Sequence, residues 1–220
     1  METQELRAAL WLMPRPGTPL FDALKQNIDG LKPLFDDGHR FDPHVTLTSG
    51  IYVSRKSEVD RILNRAFAAA KSVPHVDVIL QQLSFGKHKY RKVVLEVKPE
   101  QELVSLSMIC RESFVILPSL IARSQHYSAM SEAEQRAIHD QASAAAEDWA
   151  KTEYRPHLSL VYSNIYSVTE ANRRSIDQRL SDVFGPNYAT RGIGWTNGRI
   201  ALVACEGDPE DWEVLGYRDL

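Results

Sequence analysis

The feature that most limits what this chain can become is a short pattern that occurs twice. Phe41-Asp42-Pro43-His44-Val45-Thr46-Leu47-Thr48 and Tyr154-Arg155-Pro156-His157-Leu158-Ser159-Leu160-Val161 both read Pro-His-apolar-hydroxyl-apolar. Alternation with a period of two predicts strands, with His44 and Thr46 on one face and Val45 and Leu47 on the other. The same parity pairs His157 with Ser159 and sets Leu158 and Leu160 behind them. Strands that adjoin in this way put two imidazoles and two hydroxyls on one surface. Two histidines can act as base and acid near neutral pH, and two hydroxyls can donate to phosphate oxygens. One His-x-Thr would be an ordinary strand histidine. Two copies in matching contexts argue for a site.

The segments between the motifs alternate strand and helix patterns. Leu6 to Met13 is an apolar run stopped by Pro14 and Pro16 and reads as a buried strand. Thr18 can cap a helix with Leu20, Phe21, Leu24, Ile28 and Leu31 at helical spacing, and Ser57 a second one ending before Pro74. Val76 to Leu83 and Lys92 to Val97 read as strands of a hairpin whose basic tip, Lys87, His88, Lys89, Arg91 and Lys92, is a solvated end in preference to a contact for a phosphate or base. A helix from about Glu100 to Phe114 and a loop from Pro118 to Gln125 come next. Ser131 and Glu134 form a capping box for a long polar helix to about Lys151. Beyond the second motif, a helix (Thr169 to Phe184) precedes strands at Gly198 to Cys205 and Trp212 to Tyr217. Gly192-Ile193-Gly194 reads as a turn, and Trp195 and Trp212 as packing residues. The order repeats strand, helix and strand pair after each motif, which suggests an α+β fold of two similar lobes. Residues 1–220 are expected to form one bilobal domain.

Charge and cysteine usage narrow the function classes. With a formal net charge of −3 and interspersed signs, no general pull toward nucleic acid or an anionic membrane follows. The acidic start, Met1-Glu2-Thr3-Gln4-Glu5, lacks the basic-then-apolar pattern of a signal peptide, and uninterrupted apolar runs are far shorter than a membrane span. The two cysteines, Cys110 and Cys205, have no metal-ligand spacing and read as reduced thiols, so a cytoplasmic, reducing setting is expected. His39, His75, His88, His126 and His139 read as surface residues. No metal and no other cofactor is expected, since no ligand spacing such as His-Glu-x-x-His occurs.

Paired His-apolar-Ser/Thr-apolar motifs, one per half of the chain, resemble the 2H phosphoesterases. Three stretches sharpen the likeness: Trp11-Leu12-Met13-Pro14, Pro43-His44-Val45-Thr46-Leu47-Thr48-Ser49, and Cys205-Glu206-Gly207-Asp208-Pro209-Glu210-Asp211-Trp212-Glu213-Val214-Leu215-Gly216. With them the chain resembles the fungal 2′,3′-cyclic-nucleotide 3′-phosphodiesterases over nearly its whole length. The resemblance implies two lobes whose antiparallel sheets face a central groove with helices outside. It also implies metal-independent opening of 2′,3′-cyclic nucleotides to 2′-phosphates. ADP-ribose 1″,2″-cyclic phosphate, a by-product of tRNA splicing, would open to ADP-ribose 1″-phosphate. By motif position, His44 and His157 are the catalytic pair and Thr46 and Ser159 hold the phosphate.

Trp11 is placed like a groove-lining tryptophan, and Tyr162 matches a pocket residue of related plant enzymes. Strand parity opposes Tyr162, which faces away from Ser159 unless the strand ends or twists. Either histidine can be the base, with His157 preferred. The expected partner is a small cyclic phosphate, with no stable nucleic-acid complex, no membrane insertion and a monomeric protein. The region between Val97 and Tyr154 does not match the family residue by residue, and its helix from Ser131 to Lys151 is a variable element where substrate size can be set. Two alternatives stand beside this reading. An RNA-end enzyme of the same superfamily would need a basic track along the groove, and there is one short basic cluster. A nucleotide-binding module without turnover would be expected to lack one of the two histidines, and both are present.

Overall fold

The computed structural model describes residues 5–54, 56–165 and 167–220; the acidic start, Met1 to Gln4, lies outside them. Its framework is a single antiparallel sheet of eight strands. The chain runs β1 (Leu6–Met13), α1 (Pro19–Leu31), β2 (Val45–Val53), α2 (Lys56–Lys71), β3 (Asp77–Phe85) and β4 (Val93–Val97). It continues through α3 (Gln101–Arg111), α4 (Leu117–Arg123), α5 (Glu132–Thr152), β5 (His157–Val161) and α6 (Glu170–Phe184). A single turn, α7 (Tyr188–Arg191), then leads to β6 (Gly194–Thr196), β7 (Arg199–Ala204) and β8 (Glu213–Asp219). Strand order is β6-β3-β4-β5-β2-β1-β7-β8.

The sheet therefore has two four-stranded halves, and the two motif strands are the innermost strand of each. Their junction is narrow, with Val45 opposite Leu158 as its register pair. Helices brace it from one side, for α1 of the first half packs on β5 and α3 of the second half packs on β2. Alternation explains the layering. Leu10, Leu12, Val45, Leu47, Leu158 and Leu160 are buried in the core beneath the helices. Ala9, Trp11, Met13, Ala201 and Val203 form a second apolar cluster. Their parity places it on the opposite sheet face, the one that also carries the motif histidines.

Most predicted elements fall where the periodicity puts them, including the Thr18 and Thr169 caps and the Ser131–Glu134 capping box. Four differ. The second helix already starts at Lys56, so Ser57 lies inside its first turn rather than capping it. Gly194 begins the short strand β6, paired with β3, where a turn was expected; Trp195 in it opposes Val78. Lys92 is fully buried, its Nζ donating to the carbonyls of Lys87 and Ile165, and is no solvated tip residue.

The fourth difference is Pro118–Gln125, expected as a loop, where helix continues to Arg123. A proline within a regular helix loses a hydrogen bond and clashes with the carbonyl four residues earlier. A π-helical turn at Glu112–Ile116 relieves this, with Leu117 N–H donating to the Glu112 carbonyl and Pro118 entering at the start of the following α-turn. The resulting helix, Gln101–Arg123, is long and apolar enough by length and composition to cross a membrane, with mean hydropathy 1.5. Here Leu103, Leu106, Cys110 and Phe114 bury one side of it in the core, and α5 packs against α3.

Candidate active site

Each motif histidine is oriented by its own chain. The Nδ1–H of His44 donates to the Asp42 carbonyl at 2.7 Å, and that of His157 donates to the Arg155 carbonyl at 2.8 Å. A carbonyl can only accept, so both rings carry their proton on Nδ1 and leave Nε2 as the reactive nitrogen. The intervening Pro43 and Pro156 hold the residue before them extended, which aims its carbonyl back at the ring. The repeat in sequence is thus a repeat in chemistry.

His44 lies flat against Trp11, ring centroids 3.6 Å apart and planes 5° apart, and is almost completely buried. Trp11 reaches it because β1 is the neighbour of β2, with Trp11 in register with Thr46 and Ala201. The Tyr162 hydroxyl lies 3.3 Å from His44 Nε2, and Phe41 stacks on the Tyr162 ring at 3.9 Å. Strand β5 stops at Val161, so Tyr162 escapes the alternation and turns into the site, and the parity objection to it falls. Ser159 is buried and donates from Oγ to the Tyr90 carbonyl at 2.8 Å, with its hydroxyl also beside that of Tyr162. Thr46 and His157 are half-buried, and Glu96 is the cross-strand neighbour of His157.

Burial sets the charge states. It pulls His44 down to about 3, against the opposing effect of the Asp42 carbonyl, and the nearby His157 adds to the lowering. His157 is also lowered, chiefly by burial, with its Arg155 hydrogen bond opposing and Arg91 assisting. His44 therefore senses His157, and both imidazoles are neutral at pH 7 unless an anion joins them. Tyr162 is held as the phenol by burial.

The structure brings His44, His157, Ser159, Trp11 and Tyr162 into one cluster, with Thr46 beside Trp11. Two further members stand outside the site residues expected from the sequence, where Tyr90 is a weaker stacking candidate than Trp11. Trp212, read as a packing residue, stands 5.9 Å from both Trp11 and Tyr162. Tyr90, on the hairpin turn, stands 5.3 Å from Tyr162 and 5.8 Å from Trp212. Both are aromatic residues in loops next to strand ends, the one signal that could have drawn attention to them. A cavity of about 360 Å³ opens on the far side of Trp11, lined also by Lys25, Arg40, Phe41, Glu210 and Trp212. Among the described residues no group of three or more His, Cys, Asp or Glu side chains comes together.

A profile described as cyclic phosphodiesterase-like protein matches residues 6–220. The chain belongs to that family. It is 47% identical over 212 residues to the 2′,3′-cyclic-nucleotide 3′-phosphodiesterase of Yarrowia lipolytica, covering 96% of this chain and 98% of that one. The enzyme of the same description from Candida albicans is 32% identical, with 96% and 98% covered, and that from Saccharomyces cerevisiae 28%, with 96% and 99% covered. Among solved structures, E. coli LigT complexed with 3′-AMP aligns over 99% of this chain and 95% of its own, at 11% identity and a TM-score of 0.45. The resemblance to the fungal phosphodiesterases read from the motifs is borne out.

Proposed function

We propose that this protein hydrolyses 2′,3′-cyclic nucleotides to nucleoside 2′-phosphates, and ADP-ribose 1″,2″-cyclic phosphate to ADP-ribose 1″-phosphate, without a metal ion. The observation that carries the reading is the pair of histidines on adjoining strands, each anchored through Nδ1 so that Nε2 is its reactive nitrogen, in a chain of this family. Hydrolysis needs a base for water, an acid for the departing ribose oxygen and donors for charge on phosphorus. In our assignment His157, the more exposed ring, takes a proton from water as its oxygen bonds to phosphorus. The bond from phosphorus to O3′ breaks, and imidazolium His44 gives its Nε2 proton to that oxygen. Burial keeps the free His44 neutral, so it takes this proton once the phosphodiester anion joins it, and the Trp11 face stacked at 3.6 Å then favours the cation. Tyr162 can donate to neutral Nε2 or accept from its protonated form. Thr46 and Ser159 hold the phosphate, the latter by turning its hydroxyl from the Tyr90 carbonyl to a phosphoryl oxygen. The unpaired Cys110 and Cys205 agree with work in a reducing compartment.

The test is turnover of adenosine 2′,3′-cyclic phosphate in excess EDTA, with the product identified by NMR. The 2′-phosphate is expected, and His44→Ala and His157→Ala are each expected to lose about a thousandfold or more in kcat. A substrate with sulfur in place of O3′ separates the roles, since thiolate leaves without an acid. It should largely restore His44→Ala and leave His157→Ala slow. The reverse pattern would exchange the two histidines.

A further inference from the structure

The short turn Lys89–Arg91 at the tip of the β3–β4 hairpin is tied into the site through its backbone. The Tyr90 carbonyl accepts from Ser159 Oγ, and the Lys89 carbonyl accepts from Ser163 N–H at 3.2 Å. The tie to Ser163 persists when Ser159 turns to the phosphate, and it keeps the side chains on this turn beside the catalytic strand. Tyr90 leaves 37% of its surface exposed while its ring meets Tyr162 and Trp212. Lys89 Nζ stands 5.6 Å from the centre of that ring, its side chain 23% exposed. Facing it at 3.8 Å is Asp208, 68% exposed, in the loop between β7 and β8. Hairpin and loop belong to opposite halves of the sheet, so this ion pair spans them. A pair this long and this solvated holds its lysine weakly. A terminal phosphate has more charge and three acceptor oxygens, and a pyrophosphate spreads two charges over neighbouring groups, so either outcompetes such a carboxylate.

We infer that Lys89 and Tyr90 form a subsite for a phosphate carried on the 5-position of the ribose that bears the cyclic ester, Lys89 leaving Asp208 to bind it. This rests on the phosphodiesterase reading above. The contacts run outward in order, from His44 to the Tyr162 hydroxyl, then to the Tyr90 ring, then to Lys89 Nζ. In a ribose the cyclic ester occupies one edge of the ring and the 5-carbon leaves the other. A substrate with its phosphorus at His44 therefore extends its 5-phosphate along that row. Two other cations are engaged differently, for Lys92 is buried on two carbonyls and Lys32 is paired with Glu210 at 2.7 Å. Both a 5′-phosphorylated nucleoside cyclic phosphate and ADP-ribose cyclic phosphate present a phosphate at this position.

The experiment compares kcat/KM for adenosine 2′,3′-cyclic phosphate, its 5′-phosphorylated form and ADP-ribose 1″,2″-cyclic phosphate. The parent protein should favour the phosphorylated substrates about tenfold or more, the scale of one charge-assisted hydrogen bond, mostly through KM. Lys89→Gln should bring the ratio near one, Lys89→Arg should keep it, and Asp208→Asn should raise it. Added salt should shrink it. A preference for both phosphorylated substrates assigns the site to a single phosphate, and one confined to the ADP-ribose compound assigns it to the pyrophosphate. A parent ratio near one, or an equal loss on all three substrates in Lys89→Gln, overturns the inference. Turnover of none of them by the parent protein would instead bring down the phosphodiesterase reading itself.

Discussion

At the scale of single residues, the catalytic pair is governed by where its protons can sit. His44 titrates at about 3 and His157 below its ordinary value. Because kcat/KM reports the free enzyme, its optimum is expected on the acid side of about pH 6.5. In the complex the phosphodiester anion raises its neighbours, so the optimum of kcat should lie higher. A kcat/KM optimum above about pH 8 would contradict these charge states. The same burial has a stability consequence whose sign can be fixed. The His44 imidazole titrates at 6.5 when unfolded and about 3 when folded, so the unfolded chain binds more protons between those values. Stability then rises with pH across that window and is lost toward acid, by up to about 1.4 kcal/mol per pH unit from this group. Urea midpoints measured against pH should therefore be flatter below 6.5 in His44→Gln than in the parent.

Elements show why some of this was legible in the sequence and some was not. Period-two alternation marked the two motif strands, and an unbroken apolar run marked β1, which is buried on both faces. Alternation misjudged Tyr162, since it holds only while the strand lasts and β5 ends one residue earlier. Burial of Lys92 and the clustering of Tyr90 and Trp212 depend on contacts between distant loops, which no local pattern encodes. Proline at 118 argued for a break, and a wider turn absorbed it. The hairpin offers a test at this scale. Gly86 N–H donates to the Lys92 carbonyl, and a Cβ on Gly86 would stand 2.2 Å from the Arg91 carbonyl oxygen. Gly86→Ala must open the turn and draw the Tyr90 carbonyl away from Ser159. A stability loss of roughly 1–3 kcal/mol is expected, together with a fall in kcat/KM beyond what the folded fraction explains. Thermal melts beside steady-state rates would check it.

Across the whole molecule, the two halves of the sheet share a narrow seam and exchange helices over it. With α1 on β5 and α3 on β2, neither half retains its packing without the other. Unfolding in urea should therefore be one transition, with coincident tryptophan fluorescence and far-ultraviolet dichroism. Leu106→Ala, at a fully buried position of α3, should shift both signals together by an amount worth about 2–5 kcal/mol. Separated transitions would show the halves to be independent.

The pairing of β1 with β7 also sets a timetable. Trp11, which supports His44, lies between β2, near in sequence, and β7, almost two hundred residues further along the chain. A chain still attached to the ribosome can form α1, β2 and the β3–β4 hairpin, yet its first strand keeps an open edge until the carboxy-terminal hairpin arrives. Such long-range closure is slow. Hydrolytic activity should appear only in chains that include β7 and β8, and the waiting edge of β1 is where a copy truncated before them would be expected to stick to another.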